Sequence, residues 1–219
     1  MVEHREHELS RLFGGLSPDD RQSATDALEW SPTIEIEPAS PYLPAAFRGA
    51  VLLVVEEGFV VVRASAAAGR SVVTVAAGPG EVVLPPGPEE VLSALAPTRV
   101  TVISADVREQ LIAVPAVAAR LVEQLVSAVA QRQEALANFA QTRHTERVRR
   151  KLLQLARAHG HVVGDGIRID FPITHALLGE MVGSSRETVT RALDELHRAG
   201  FVARTGSTYR LLISSTAVL

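Results

Sequence analysis

The segment Pro172–Val202 constrains the fold of this 219-residue chain most strongly, because it carries the start and stop signals of two short helices. Thr174 can cap the first helix, since its hydroxyl accepts a hydrogen bond from an amide of the first turn. Gly183 follows, and glycine adopts a left-handed backbone at little cost. Ser184 and Glu187 have the spacing of a capping box, which predicts that a second helix starts at Ser184. The segment therefore predicts two helices joined by a tight turn.

The second helix has one apolar and one polar side. Val189, Leu193 and Leu196 recur at helical spacing and predict its inner face. The outer face carries Arg186, Glu187, Thr190 and Arg191, and Gly200 ends the helix. Arginine can bind guanine bidentately and glutamate can accept a hydrogen bond from cytosine, so these side chains suit a DNA major groove. The alternative is a solvated face on which Glu187 pairs with Arg191. The capped start, the glycine turn and the flanking hairpin signals favour a DNA-binding helix-turn-helix.

The run GSSRETVTRALDELHRAGFV, residues 183–202, resembles the recognition helix of the Crp/Fnr family, the cyclic AMP receptor protein and its relatives. The resemblance implies a transcription regulator whose Arg186, Glu187 and Arg191 read a TGTGA-like half-site of a pseudo-palindrome. It implies that a further set contacts the DNA backbone: Thr145, Thr174, His175, Ser184, Ser185, Thr188, Thr205 and Ser207. Double-stranded DNA is the expected partner, and RNA polymerase is a candidate protein partner.

Charge and composition agree with this interpretation. Residues 141–219 hold 12 Lys and Arg against 7 Asp and Glu, a net charge of +5, whereas residues 1–140 carry −8. Counterion release favours a positive surface on DNA.

The chain has no cysteine, which excludes disulfides and cysteine-ligated iron–sulfur clusters. No catalytic or metal-binding motif is present, so we expect neither an enzyme nor a metal site. A polar start and the lack of a long apolar run predict a cytoplasmic protein with no membrane partner.

Residues 1–114 are predicted to form a β-roll, a jelly-roll-like sensor domain of the α+β class. Short β-branched runs between residues 33 and 104 alternate with Gly- and Pro-containing turns, as in such rolls. Residues 141–219 are predicted to form a winged helix-turn-helix domain. Thr145 is predicted to cap its first helix, Gly164–Gly166 has a hairpin signal, and a second hairpin around Gly206 forms the wing.

Residues 115–140 predict one long helix with apolar residues at alternating spacings of three and four. This heptad seam predicts a homodimer. The seam residues are Val122, Leu125, Val129, Arg132, Leu136 and Phe139. The alternative is a single helix packed on its own β-roll, and both arrangements can hold at once, since the family uses this helix in both ways.

The resemblance also implies a cyclic-nucleotide pocket, which this sequence fits poorly. Gly80 and Glu81 match its ribose-binding pair, but no basic residue occurs between Glu81 and Thr98 to hold the phosphate, and Glu89 and Glu90 would repel it. We therefore expect no cyclic-nucleotide cofactor. The candidate effector pocket consists of Gly80, Glu81, Arg132 and Gln133. Arg132 either pairs with an acidic residue across the dimer interface or binds an anionic effector. A cyclic-AMP-activated regulator, a haem or redox sensor, and a protein-interaction scaffold with a winged helix remain as alternatives.

Overall fold

A computed structural model of the chain describes residues 12–38, 40–42, 44–65, 71–139, 143–169 and 171–212, and for Leu136, Asn138 and Phe139 only the backbone. The chain divides into two compact units. The first contains the described residues up to Ala64 and from Thr74 to Arg132. The second contains the described residues from Gln133 onward, with the described part of Ser65–Val73.

The first unit is built on two four-stranded sheets. One has the strand order β1-β8-β3-β6 and the other β2-β7-β4-β5. The strands are β1 Thr33–Ile36, β2 Pro41–Tyr42, β3 Ala50–Glu57, β4 Val60–Ser65, β5 Ser71–Ala77, β6 Val82–Val83, β7 Glu90–Ala94 and β8 Thr98–Ser104. β3 pairs antiparallel with β8, and β4 pairs antiparallel with β7. The sheet-rich N-terminal part of the fold class is thus confirmed.

Strand β3 is buried on both faces, and this divides the core of the first unit in two. Alternate side chains of a strand point to opposite faces. Leu53 and Val55 lie in a cluster that joins residues of both sheets. Leu52 and Val54 lie in a second cluster, which the helices of this unit complete.

Three helices of the chain follow from clear sequence signals. Helix α1 spans Pro18–Leu28, and the Ser17 hydroxyl accepts the amide of Asp20. Helix α2 spans Ala105–Ile112, and Ser104 caps it. Helix α3 spans Pro115–Phe139, and its Val117 and Leu121 enter the same core cluster as Leu52.

No single helix among the described residues is long and apolar enough to cross a bilayer. Helices Ala105–Ile112 and Pro115–Ala135 meet a length and composition criterion only when they are taken together, and they are bent by 119° at their break.

The second unit is a winged helix. Its elements are α4 His144–His159, β9 Gly160–Val163, β10 Gly166–Ile169, α5 His175–Val182, α6 Arg186–Arg198, β11 Val202–Thr205 and β12 Thr208–Leu211. The strands form an antiparallel sheet in the order β11-β12-β10-β9. Leu152, Leu178, Met181, Val189 and Tyr209 are among its buried side chains. Both predicted hairpins are present.

The prediction that Thr145 caps the first helix of this unit was wrong. Helix α4 begins one residue earlier, at His144, and its N-cap Arg143 makes no side-chain capping bond. The Thr145 hydroxyl instead donates to Glu195 Oε2 at 2.6 Å. The threonine therefore ties α4 to α6, a use that no local pattern indicates because the two residues lie 50 positions apart.

Candidate nucleic-acid interface

The turn between α5 and α6 is closed by two glycines. Gly183 has φ +63° and ψ 38°, the left-handed conformation that glycine adopts without a Cβ clash. The Ser184 amide then donates to the Gly179 carbonyl oxygen at 2.9 Å. A Cβ atom on Gly179 would lie 2.7 Å from the Ser184 carbonyl oxygen. The predicted role of Gly183 is confirmed, and Gly179 adds a close approach of two backbone segments.

Helix α6 is capped one residue later than the sequence predicted. Its N-cap is Ser185, whose hydroxyl accepts the Thr188 amide at 3.2 Å, so the assignment of the cap to Ser184 was wrong. The Ser184 hydroxyl lies 2.8 Å from His144 Nδ1. Two adjacent serines satisfy the same local pattern, and the contact with α4 decides which of them is free to cap.

The three predicted base-reading residues are all exposed on α6. Arg186 and Glu187 belong to its first turn and Arg191 follows one turn later, whereas Val189, Ala192, Leu193 and Leu196 are buried. Among the described residues, no ion pair or side-chain hydrogen bond engages Arg186 or Arg191, and no ion pair joins Glu187 to Arg191. The alternative of a self-paired helix face requires a Glu187–Arg191 ion pair, which the described residues do not form.

Glu187 is held in its charged form. Its pKa is lowered from the ordinary value, first by a hydrogen bond from its own backbone amide and then by the Ser185 hydroxyl and the charges of Arg186 and Arg191. A carboxylate with a lowered pKa stays ionised at neutral pH, so it acts as a hydrogen-bond acceptor.

The predicted backbone-contact residues come from several elements that hydrogen bonds join. Thr174 caps α5 by accepting the Leu177 amide at 3.0 Å, as predicted. The Ile173 amide, just before that cap, donates to the Ser207 carbonyl oxygen at 2.9 Å. This bond ties the wing tip to the start of α5. Thr174, Ser185, Thr205 and Ser207 are exposed, and Thr145, His175, Ser184 and Thr188 are half-buried.

His175 has internal partners that the sequence did not suggest. Its Nδ1 atom lies 2.8 Å from the Thr190 hydroxyl on α6, and its Nε2 atom lies 2.9 Å from Arg204 Nη1 on the wing strand β11. Arg204 also stacks its guanidinium over the Tyr209 ring at 5.6 Å. Arg204 was absent from the predicted site, because its partner is 29 residues away.

Helix α3 presents an apolar stripe that differs from the predicted seam. Val122, Val126 and Val129 are 59%, 62% and 48% exposed. Val126 was not in the seam, although it lies one helical turn from Val122. Leu125 is half-buried against the core cluster of the first unit. The side chains of Leu136 and Phe139 lie outside the described residues.

Arg132 pairs with Glu90 of its own chain, and the predicted contact of Arg132 across a dimer interface stays a prediction. Its Nη1 and Nη2 atoms lie 3.2 Å from Glu90 Oε1 and Oε2 respectively. Glu90 also accepts the Gly87 amide at 2.9 Å and the Thr74 hydroxyl at 3.4 Å. The charges of both side chains are thereby compensated without a second protomer.

The remaining members of the predicted effector pocket have structural roles or lie in solvent. Gly80 has φ +83° and donates its amide to the Val55 carbonyl oxygen at 2.8 Å. Glu81 accepts the Gly78 amide at 2.6 Å, and burial raises its pKa to about 7. Gln133 is exposed.

Comparison with known proteins identifies the type of domain that the second unit contains. Residues 146–219 match a family model described as the Crp-like helix-turn-helix domain. The chain carries a Crp-like helix-turn-helix domain. The resemblance to Crp/Fnr regulators is thereby confirmed in sequence for this part of the chain.

Curated relatives share this region. The chain is 34% identical over 98 residues to the CRP-like cAMP-activated global transcriptional regulator of Mycobacterium tuberculosis, a match that covers 43% of each protein. It is 43% identical over 54 residues to the global nitrogen regulator of Synechocystis, covering 25% of this chain and 24% of that protein. The matched segment thus spans less than half the length of these curated relatives. Both are named as regulators, not enzymes.

Solved structures share the fold over most of the chain. A CooA variant from Carboxydothermus hydrogenoformans has a TM-score of 0.73 at 16% identity and covers 88% of each chain. A CRP/FNR family transcriptional regulator from Thermus thermophilus has a TM-score of 0.61 at 20% identity, covering 85% of this chain and 96% of its own. The predicted architecture of β-roll, long helix and helix-turn-helix is confirmed.

The change Ser185→Ala tests which serine caps α6. We expect it to lower the free energy of unfolding by about 1 kcal/mol, because the Thr188 amide loses its acceptor. Ser184→Ala is the matched control and should cost less, since it removes only a contact at the edge of α4. Urea denaturation of the full chain, followed by circular dichroism, measures both. A larger loss of unfolding free energy in Ser184→Ala than in Ser185→Ala would show that Ser184 is the N-cap.

Proposed function

We propose that the chain is a transcription regulator of the Crp/Fnr type that binds a pseudo-palindromic, TGTGA-like DNA site as a homodimer. The observation that carries this proposal is the set of exposed, charged side chains Arg186, Glu187 and Arg191 on the outer face of a capped helix. Two arginines with fork-shaped donors and one ionised carboxylate match the acceptors of guanine and the donor of cytosine in a major groove.

Electrostatics and the polar rim support the same proposal. The region from residue 141 onward has a net charge of +5, and a positive surface gains affinity when it releases the counterions of DNA. Thr174, Ser185 and Thr205 are exposed residues, and hydroxyl groups are common donors to phosphate oxygens. Such contacts would fix the register of α6 while its first turn reads bases.

The change Arg186→Ala should abolish the preference for a TGTGA palindrome over scrambled DNA of the same length. The loss should be about 1–3 kcal/mol per half-site, because one bidentate base contact disappears. Arg198→Ala, which removes an exposed arginine from the last turn of the same helix, is the control and should keep the preference. Fluorescence anisotropy at fixed salt measures both ratios. An unchanged preference in the Arg186 variant would refute the base-reading assignment.

We propose that the second protomer covers the valine stripe of α3. Val122, Val126 and Val129 lie on one side of the helix and leave apolar surface in water that a copy of the same helix can cover. A dimer also supplies the two recognition helices that a palindrome requires about one DNA turn apart, roughly 34 Å. A change in their relative pose, or one fixed pose, would then set DNA affinity.

The change Val126→Glu should convert the dimer to a monomer, because it places a charge in the proposed apolar contact. Ser127→Glu is the matched control, since Ser127 is an exposed neighbour one position along α3. Sedimentation velocity gives the mass of each variant. Equal masses for both variants, at the value of a monomer or of an unperturbed dimer, would contradict the proposed interface.

We also propose that the regulator works without a cyclic nucleotide. The Arg132 guanidinium is already bound by Glu90, and the carboxylate is in turn held by Gly87 and Thr74. A cyclic phosphate at this place would lose the arginine as a cation and meet the Glu90 charge. The Mycobacterium tuberculosis relative is named as cAMP-activated, so the two proteins would differ in this respect.

Titration calorimetry with cyclic AMP and cyclic GMP tests this independence. The unchanged protein should give no saturable heat, because the cation is occupied and the carboxylate repels the phosphate. Glu90→Gln removes the repulsion and frees Arg132, so any gain of binding should appear there; Glu89→Gln, at an exposed neighbour, should behave as the unchanged protein. Saturable micromolar binding by the unchanged protein would overturn the proposal.

A further inference from the structure

A continuous chain of hydrogen bonds connects the wing with the recognition helix. It runs from Arg204 on β11 through His175 at the start of α5 to Thr190 on α6. The Thr190 hydroxyl in turn donates to the Arg186 carbonyl oxygen at 3.0 Å. The chain therefore ends at the backbone of the first residue of α6, which also carries a proposed base contact.

The donors in this series of hydrogen bonds determine the protonation state and the tautomer of the His175 imidazole. A guanidinium has only donors, so Arg204 donates and His175 Nε2 accepts. Nε2 can accept only when it carries no proton, which leaves the proton on Nδ1. Nδ1–H then donates to the Thr190 oxygen, and the Thr190 hydroxyl keeps its proton for the Arg186 carbonyl. Every member is satisfied only with a neutral, Nδ1-protonated His175.

We propose that His175 is a positioning residue that holds the wing against the recognition helix through neutral imidazole, and that tight DNA binding requires this neutral form. The proposal rests on the proposed DNA-binding function and gives it a regulation. The resemblance to Crp/Fnr proteins implied a different role, in which His175 touches the DNA backbone directly.

Protonation of His175 would break this series of hydrogen bonds at its central member. An imidazolium has no acceptor, so the bond from Arg204 is lost and two positive charges lie side by side. The charged and titratable groups around His175 are Arg204 and Tyr209 on the wing strands and Arg186, Asp194 and His197 on α6. A cavity of about 270 Å³ adjoins His175, and it is lined by Leu193, Val202 and all of these groups except Arg186. Arg204 and Arg186 oppose protonation, and Asp194 favours it.

The pKa of His175 agrees with the geometry. It is lowered from the ordinary value of 6.5, first by burial and then by the charges of Arg204 and Arg186. A lowered pKa in the folded state means that the unfolded chain binds the proton more readily. The contribution of the neutral imidazole to stability is therefore present above pH 6.5 and is lost as the pH falls through the lowered pKa.

DNA affinity as a function of pH tests the proposal. We expect the dissociation constant for the palindromic duplex, measured at fixed salt, to rise about threefold to tenfold between pH 8.0 and pH 5.5, beyond any change in the His175→Gln protein. Glutamine offers a donor and an acceptor and does not titrate. His197→Gln is the matched control: His197 Nδ1 donates to the Val202 carbonyl oxygen at 3.0 Å, a bond that survives protonation, so this variant should keep the pH dependence of the unchanged protein.

The sign of the pH effect separates the two roles of His175. If affinity instead rises at low pH relative to the His175→Gln protein, the imidazolium contacts phosphate directly and the proposal is wrong. An identical pH profile in both proteins would also refute it.

Nitrogen-15 NMR of the free protein supplies a readout that needs no DNA. It should show the Nδ1–H tautomer of His175 at pH 8.0 and a titration below pH 6.5. A protonated His175 ring at neutral pH, or the opposite tautomer, would refute the proposed series of hydrogen bonds from Arg204 through His175 to Thr190. Failure of every DNA fragment to bind at pH 8.0 would refute the proposed function, whereas the NMR result would still decide the hydrogen-bond chain.

Discussion

The Ser184–Ser185 step, which follows a left-handed glycine, determines how the second unit can present α6. Gly183 ends α5, and the Ser184 amide closes the turn onto the Gly179 carbonyl oxygen. The cap at Ser185 then satisfies one of the orphan amides that every helix start exposes. With the start fixed and one side buried, Arg186 and Glu187 must lie in the first turn and face outward.

The recognition helix is held by polar bonds as well as by apolar packing. The Thr145 hydroxyl donates to Glu195, His144 contacts Ser184, and His175 contacts Thr190. Packing alone tolerates small rotations of a helix, whereas hydrogen bonds at several points along it specify one position. A helix that must align donors with base edges needs that precision, because its contacts fail outside hydrogen-bond distance.

Local sequence patterns predicted the elements well and their mutual contacts poorly. Periodicity located α3 and α6, and turn residues located both hairpins, since these signals depend on neighbours a few positions apart. The predicted caps at Thr145 and Ser184 were wrong because these residues have partners 50 and 40 residues away. The sequence likewise did not identify Glu90, 42 residues away, as a partner of Arg132. A single sequence does not indicate which of its distant residues contact each other. Only the folded chain shows that Arg132 pairs with Glu90.

Whether a side chain has partners within the folded chain is also a criterion for ranking candidate ligand contacts. Arg132 and His175 were both candidates for contact with an anion, yet the described structure gives each of them internal partners, and of these side chains only the buried Arg132 Nε atom lacks one. Arg186 and Arg191 are exposed on α6, and among the described residues neither forms an ion pair or a side-chain hydrogen bond. Ordering a long side chain without a partner costs conformational entropy and returns no bond. Exposed guanidinium groups that no described residue engages keep their donors for an outside acceptor, and the DNA interface proposed above would supply such acceptors.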